Sequence, residues 1–159
     1  MIKTVHGLGI DELRRDGKEV VRQFVEENQG YLKGRVLDFG CGKQPYKKYC
    51  GEYVGYDIGY PDFNGKFDAI MITQVLQYTD NPRDTIETLS QYLKDDGHFL
   101  ITYSSSWYEC EHDDFWRITK AHVDKILNPI INRPILTLRL EGVDINLCYG
   151  CVSNNPNKR

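Results

Sequence analysis

Hydrophobic positions along the chain follow two different periods. In residues 11–27 apolar side chains recur at helical spacing between charged ones, which predicts an amphipathic helix. Four short apolar runs predict strands at 35–39, 53–58, 67–73 and 98–103. The run 67–73 is apolar almost throughout, as in a strand that is buried on both faces. Between the last two runs, residues 81–97 predict a helix with Pro82 in its first turn.

The C-terminal third predicts a short helix capped by Thr119 and then two strands, 134–140 and 143–150, joined by a turn at Glu141–Gly142. Strands that alternate with helices and end in a hairpin predict an α/β fold. Its sheet is mainly parallel, with helices on both faces and one antiparallel strand from the hairpin. Ligands of such sheets bind beyond the carboxyl ends of the parallel strands, here called the carboxyl edge. We therefore expect the functional residues just after positions 39, 57, 73 and 103.

Composition fits one ordinary globular domain, which we place at residues 1–152 with a loose tail at 153–159. The 159 residues carry a net charge of −3, so we expect no long nucleic acid as a partner. No apolar run approaches the ~20 residues of a membrane span, and no signal-peptide pattern opens the chain, which predicts a cytoplasmic protein without a membrane partner.

The five cysteines are an odd number without a dense framework, which favours reduced thiols over disulfides. Cys148-x-x-Cys151 and Cys110-x-His112 contain zinc-ligand residue types. The odd spacing of the first pair would send its thiols to opposite faces of a strand, so we expect no metal site.

The segment RVLDFGCGKQPY, residues 35–46, carries the first functional signal. Gly40 and Gly42 directly follow the first strand, where glycine lets the backbone approach a ligand and adopt positive φ. Asp57 ends the second strand, 19 residues after Asp38, and a carboxylate there suits the ribose hydroxyls of a nucleoside-type ligand. A dinucleotide site fits less well because the G-x-G-x-x-G pattern is incomplete, and a Walker loop is excluded because its motif does not occur.

Several segments together resemble a class I S-adenosylmethionine-dependent methyltransferase, closest to the methyltransferase type 11 group. They are VLDFGCG at 36–42, the strand end at Asp57, KFDAIMITQVLQYTDNP at 66–82 and LSQYLKDDGHFLI at 89–101. DDFWRIT at 113–119 also resembles a D-x-x-R-x-T segment of some members. The resemblance spans residues 34–127 and implies a Rossmann-like fold in a trimmed form, S-adenosyl-L-methionine as cofactor and methyl transfer as activity.

The resemblance also implies roles for the matched residues. Gly40 and Gly42 would pass beneath the methionine part of the cofactor, and Asp38 would lie near its amino group. Asp57 would hold the ribose. Thr73 and Gln74 would close the pocket near the sulfonium. On the residues alone, both aspartates also fit carboxylates that only stabilise turns.

Three departures from the family pattern change these expectations. Gln44 replaces the third glycine, which predicts a stiffer or differently shaped turn. Only nine residues, 58–66, stand where the family has a helix, another strand and often an acid that reads adenine. Asp62 and Asn64 are candidate substitutes, and the adenine side is expected to be open or completed by a second subunit. Tyr78 stands where a histidine is common.

The methyl acceptor is only loosely bounded by the sequence. Motifs for amino methylation of adenine or glutamine, and for pyrimidine C5 chemistry, are absent, which favours a small-molecule, nucleotide-like or sugar-like acceptor. The segment 108–117 follows the fourth strand and supplies Tyr108 and Arg117 as candidate acceptor-binding residues. His112 and Tyr78 are the candidate catalytic residues. Alternatively, Arg117 pairs with a nearby aspartate at a helix start, as a purely structural contact.

The sequence therefore predicts a methyltransferase that acts on a small acceptor. The alternative is a catalytically inactive domain of the same fold that serves as a binding or assembly module, as a homo-oligomer or within a larger protein assembly. The trimmed link at 58–66 motivates this alternative.

Overall fold

The computed structural model describes residue 19, residues 21–106, residues 116 and 125, and the strands Leu136–Glu141 and Leu147–Asn154. The short helix predicted after Thr119, apart from position 125, and the acceptor-segment residues Tyr108, His112 and Arg117 lie outside these ranges. Among the described residues, no helix combines the length and the hydrophobicity needed to cross a bilayer.

Six strands form one sheet in the order β2-β1-β3-β4-β6-β5. They are β1 Arg35–Phe39, β2 Glu52–Tyr56, β3 Phe67–Thr73, β4 Leu93–Ser106, β5 Leu136–Glu141 and β6 Leu147–Asn154. Neighbours among β1 to β4 pair in parallel, while β6 pairs antiparallel with both β4 and β5. The predicted α/β fold with a mainly parallel sheet and one antiparallel hairpin strand is confirmed.

Each face of the sheet buries its own hydrophobic cluster beneath a helix. The first helix, α1, is helical over 21–27 and packs Phe24 and Val25 on one face. The second helix, α2 Pro82–Ser90, packs Ile86 and Leu89 on the other face. Because alternate residues of a strand point to opposite faces, Leu37 belongs to the α2 cluster and its neighbours 36 and 38 face α1. Helices on both faces are thus confirmed.

Helix α2 begins as predicted but ends earlier than predicted. The Asn81 side chain accepts hydrogen bonds from the backbone N–H groups of Arg83 and Asp84, at 3.0 and 3.4 Å, which caps the helix start. The expected helix over 81–97 is wrong beyond Ser90, since β4 already begins at Leu93. The reason is non-local: the Phe67 N–H donates to the Tyr92 carbonyl at 2.8 Å, which draws the chain into the sheet instead of a further helical turn.

The C-terminal hairpin is confirmed with a different connection. Glu141 is the last residue of β5 and pairs with Leu147, so the link is residues 142–146 and the predicted turn at Glu141–Gly142 is wrong. Strand β6 also extends through Ser153 and Asn154, which pair with Phe99 and His98 of β4. Two residues of the segment expected to be a loose tail are therefore part of the sheet.

Candidate functional site

The turn directly after β1, residues 40–44 and here called the glycine turn, is hydrogen-bonded to the end of β2. The N–H groups of Gly40 and Cys41 both donate to the Tyr56 carbonyl, at 2.7 and 3.0 Å. Gly40 has a φ of 78°, and a β-carbon at this position would lie 2.3 Å from Cγ2 of Val75. Glycine is therefore required here for two separate reasons, a left-handed backbone and a close approach.

Gln44 occupies the position of the third glycine and keeps a glycine-like backbone. Its φ is 58°, and its N–H donates to the Cys41 carbonyl at 2.8 Å. The side-chain nitrogen lies 3.2 Å from where a β-carbon of Gly55 would be, so the absence of a side chain at 55 makes room for it. The turn thus accommodates the substitution at the expense of one strained residue.

Asp57 bridges the end of β2 and the glycine turn. One carboxylate oxygen accepts a hydrogen bond from the Gly42 N–H at 2.6 Å, and the other accepts from the Ile58 N–H at 2.8 Å. An ionised carboxylate offers about four acceptor positions, so lone pairs remain for a ligand's hydroxyl groups. The hydroxyl of Tyr60 donates to the Gly42 carbonyl at 3.3 Å and closes the far side of the turn.

Asp38 is fully buried, on the same face of the sheet as α1. The Tyr53 hydroxyl donates to its Oδ2 at 2.7 Å, while Oδ1 is buried and has no hydrogen-bond partner among the described residues. Burial raises the pKa of the Asp38 carboxyl to about 6, against the opposing effect of the Tyr53 hydrogen bond, and the nearby charge of Asp57 adds to the rise. Oδ1 is a buried acceptor that a donor from a ligand would satisfy.

The end of β3 supplies the other predicted cofactor residues. Thr73 is the last residue of β3 and pairs with Thr102 of β4. Gln74 follows with a φ of 57°, its N–H donates to the Thr102 carbonyl at 3.0 Å, and its side-chain nitrogen lies 3.2 Å from the Thr102 hydroxyl oxygen. Tyr78 lies in a 3-10 turn, Leu76–Tyr78, which continues from this strand end. The structure thus brings all six predicted cofactor residues and Tyr78 to the carboxyl edge.

In the short link 58–66, the aromatic side chain of Phe63 packs against the sheet where the family pattern has a helix. The ring of Phe63 packs edge-on against Tyr56 and Tyr92 at centroid distances of 5.0 Å each, and it also contacts the rings of Phe39 and Phe67. The link then continues to the opposite end of β1, where the Arg35 guanidinium donates to the Asn64 carbonyl at 2.8 Å. Asn64 therefore lies away from the carboxyl edge, and its proposed substitution for an adenine-reading acid is wrong.

Trp116 connects the acceptor segment with this edge. Its backbone N–H donates to the Gln77 carbonyl at 3.2 Å, and its indole N–H donates to the Thr79 carbonyl at 2.8 Å. Trp116 itself therefore lies beside the 3-10 turn that contains Tyr78. Contacts of His112, Arg117 and Tyr108 themselves lie outside the described residues.

The described cysteine side chains, Cys41 and Cys50, are free thiols. Burial raises the pKa of both, to about 12 for Cys50, so both stay protonated at neutral pH. Among the described residues no three metal-ligating side chains come together, while the side chains of Cys110, Cys148 and Cys151 lie outside the described set.

The comparisons with known proteins identify the family. The profile of a family described as methyltransferase domain matches residues 13–133. The chain belongs to this family. Membership confirms the predicted class I S-adenosylmethionine-dependent methyltransferase and its expected cofactor, S-adenosyl-L-methionine. No curated protein matches the sequence significantly.

Solved methyltransferases share the fold at low sequence identity. A SAM-dependent methyltransferase from Archaeoglobus fulgidus superposes with a TM-score of 0.70 at 16% identity, over 92% of this chain and 100% of that chain. Magnesium protoporphyrin IX methyltransferase from Synechocystis, with bound SAH, gives 0.70 at 15% identity, over 93% and 88%. A Burkholderia thailandensis 1,6-didemethyltoxoflavin-N1-methyltransferase, with its acceptor and S-adenosylhomocysteine, gives 0.66 at 14%, over 89% and 83%. The named acceptors differ, so this likeness supports the methyltransferase fold and not a particular acceptor.

Proposed function

We propose that the carboxyl edge of this methyltransferase domain binds S-adenosyl-L-methionine and transfers its methyl group to a small-molecule, nucleotide-like or sugar-like acceptor. One observation carries the proposal. The glycine turn is closed on Asp57, and the buried Asp38 beside it keeps one oxygen without a partner. S-adenosyl-L-methionine has both groups that this pair accepts from, a ribose diol and an ammonium group.

Each described residue receives a role in this proposal. Gly40 and Gly42 pass beneath the methionine part, Asp38 accepts from its ammonium group, and Asp57 accepts from the ribose hydroxyls. Thr73 and Gln74 border the sulfonium. Methyl transfer is an in-line displacement in which the cofactor supplies the reactivity, so these residues act by alignment and proximity.

The nucleobase has a candidate contact surface despite the short link. Ile58, directly after Asp57, is 99% exposed, and Tyr60 next to it is 39% exposed. An aliphatic side chain and an aromatic ring beside the ribose-binding carboxylate offer a nucleobase the apolar contacts that line ligand sites. We assign Ile58 and Tyr60 to the adenine ring, which makes that side of the site shallow and open, as the nine-residue link predicts.

The acceptor side rests on the segment anchored by Trp116. Tyr108 and Arg117 are the proposed acceptor-binding residues, and His112 and Tyr78 are the proposed proton acceptors for an acceptor that needs deprotonation. The hydrogen bonds from Trp116 to the Gln77 and Thr79 carbonyls support this placement, since they hold Trp116 itself beside Tyr78.

Calorimetry with S-adenosylmethionine and S-adenosylhomocysteine tests the cofactor site. Native protein should bind both ligands, and Asp57→Ala should weaken binding at least about tenfold, since it removes a charged acceptor of two hydroxyl groups. Asp95→Ala, an exposed acid near the start of β4 at the opposite end of the sheet, is the matched control and should bind normally. If native protein bound neither ligand, the proposal would be wrong.

The inactive binding or assembly module is the second candidate. It is supported by the position of β2, which the short link leaves as an edge strand of the sheet. An unpaired strand edge is a site where another chain can add a strand. A defined oligomer in sedimentation analysis, with cofactor binding but no labelled methyl transfer to any acceptor of a broad screen, would favour this candidate over the enzyme.

A further inference from the structure

Tyr53 makes a close polar contact that the cofactor assignment leaves unexplained. Its hydroxyl donates to Oδ2 of Asp38 at 2.7 Å, from β2 across to β1. Asp38 is paired in register with Gly55, so Tyr53 is its diagonal neighbour on the same face of the sheet. The ammonium group of Lys47 lies 5.6 Å from the centroid of the Tyr53 ring, on the solvent side. The tyrosine is thus held between a lysine and a buried carboxylate.

The other oxygen of Asp38 has no donor. Oδ1 is buried without a hydrogen-bond partner, although a carboxylate in such surroundings is costly unless its lone pairs are satisfied. Asp57, whose charge also acts on Asp38, is itself an acceptor and raises the cost of the buried carboxylate. A ligand with a cationic hydrogen-bond donor would satisfy Oδ1 and remove this cost.

We propose that Tyr53 is a positioning residue for the cofactor's ammonium group: its hydroxyl fixes one oxygen of Asp38 and so directs the other, Oδ1, at that group. This inference rests on the proposed function and goes beyond it, because it assigns selectivity for the amino-acid part of the ligand to a residue of β2. The same hydrogen bond favours the ionised form of Asp38, which the ammonium group requires.

The surroundings of Asp38 set the sign of the expected pH dependence. The titratable groups that act on it or respond to it are Tyr53 from β2, Asp57 directly after β2, Cys41 from the glycine turn and Cys50 from the loop before β2. Both thiols are neutral and the charge of Asp57 raises the pKa of Asp38, so the hydrogen bond from Tyr53 is the contact that favours ionisation. Its removal should move the protonation of Asp38 to higher pH.

Tyr53→Phe tests the inference by calorimetry between about pH 5 and about pH 7.5, below the range in which a free amino group titrates. Two probes separate the parts of the ligand. S-adenosylhomocysteine carries the amino acid, and methylthioadenosine lacks it. In native protein, S-adenosylhomocysteine affinity should fall about tenfold per pH unit below about pH 6. In Tyr53→Phe this fall should begin about one pH unit higher, as expected for the loss of one hydrogen bond to a charged group, while methylthioadenosine affinity stays unchanged.

Two further variants complete the test. Tyr49→Phe makes the same change on another half-buried tyrosine, one that packs against the hydrophobic cluster beneath α1, and should leave both affinities and the pH profile unchanged. Asp38→Asn should abolish the pH dependence of S-adenosylhomocysteine binding, which tests the pair even if Tyr53→Phe failed to fold. If native protein binds S-adenosylhomocysteine and Tyr53→Phe shows the same pH profile, the inference is wrong and the proposed function stands. If native protein binds neither probe, the proposed function fails first.

Discussion

The close approach of the glycine turn to the segment after β3 makes Gly40→Ala the most informative stability test. A new β-carbon would lie 2.3 Å from Cγ2 and 3.0 Å from Cγ1 of Val75, at a residue whose φ is 78°. Gly59 has a φ of 85° with nothing within 4 Å of such a β-carbon, so Gly59→Ala isolates the backbone cost. The two glycines therefore separate strain from steric overlap.

The magnitudes follow from these two effects. An L-residue in the left-handed region costs about 1–2 kcal/mol, which is the expected loss of unfolding free energy for Gly59→Ala. Overpacking adds about 1–3 kcal/mol, so Gly40→Ala should lose about 2–5 kcal/mol. Val75→Ala removes both γ-carbons and leaves the Val75 β-carbon 3.2 Å away. In the double variant the steric part should be recovered and the backbone part should remain.

Urea denaturation of the native protein, the three single variants and the two double variants with Val75→Ala measures this as two double-mutant cycles. The expected coupling between Gly40→Ala and Val75→Ala is favourable and about 1–3 kcal/mol. Equal losses for Gly40→Ala and Gly59→Ala, or a coupling near zero, would refute the reasoning that Val75 restricts position 40. Gly59→Ala combined with Val75→Ala should be additive.

Three further predictions concern other parts of the fold. Phe63→Ala should lower the unfolding free energy by about 2–4 kcal/mol in urea denaturation, because the half-buried ring contacts four other aromatic rings. Phe63→Leu should lower it clearly less, and equal losses for the two variants would contradict this reasoning. Trp116→Phe should cost about 1 kcal/mol for the lost hydrogen bond to Thr79 and raise hydrogen exchange at 76–79, with cofactor affinity retained; unchanged exchange would contradict the anchor. Burial raises the pKa of Asp38 to about 6, so its protonated form stabilises the fold below about pH 4 and that contribution is lost as pH rises through 6. Asp38→Asn should therefore stabilise the ligand-free protein at pH 7.5 by up to about 3 kcal/mol, and an unchanged stability would contradict the pKa.

The elements that sequence could predict are those whose cause is local. Strands β1 and β3 match the apolar runs 35–39 and 67–73 residue for residue, since a continuous apolar run between polar residues fits a strand that is buried on both faces. The glycines and Asp57 could be placed at the carboxyl edge because this edge follows directly from strand order. The start of α2 also has a local cause, which is the cap formed by Asn81 and the proline at position 82.

The features that sequence could not predict depend on pairing across the sheet. Helix α2 ends early because the β3 backbone captures the carbonyl of Tyr92, which no pattern within 81–97 reveals. Tyr53 becomes a partner of Asp38 only through the register that sets Asp38 opposite Gly55. The alternation of 53, 55 and 57 was visible in the sequence, but without the register it did not identify which residue of β1 they face. Likewise, the sequence shows Phe63 only as an aromatic residue in a short link. Its packing partners depend on which strand edge lies beneath it, and that follows only from the sheet.

The distribution of strain and unsatisfied groups locates the functional edge of the sheet independently of the family. Among the described residues, Gln44 and Gln74 are the non-glycine residues with positive φ, and both lie at the carboxyl edge. The buried oxygen of Asp38, which has no partner among the described residues, lies near the end of β1, directly before the turn that contains Gln44. At the opposite end, Asp68 accepts from the Arg35 N–H at 2.7 Å and from the Lys94 ammonium at 2.8 Å, so that its carboxylate is satisfied. Strain and unpaired polar groups persist where function retains them, so the carboxyl edge is the part of this fold that a ligand should complete.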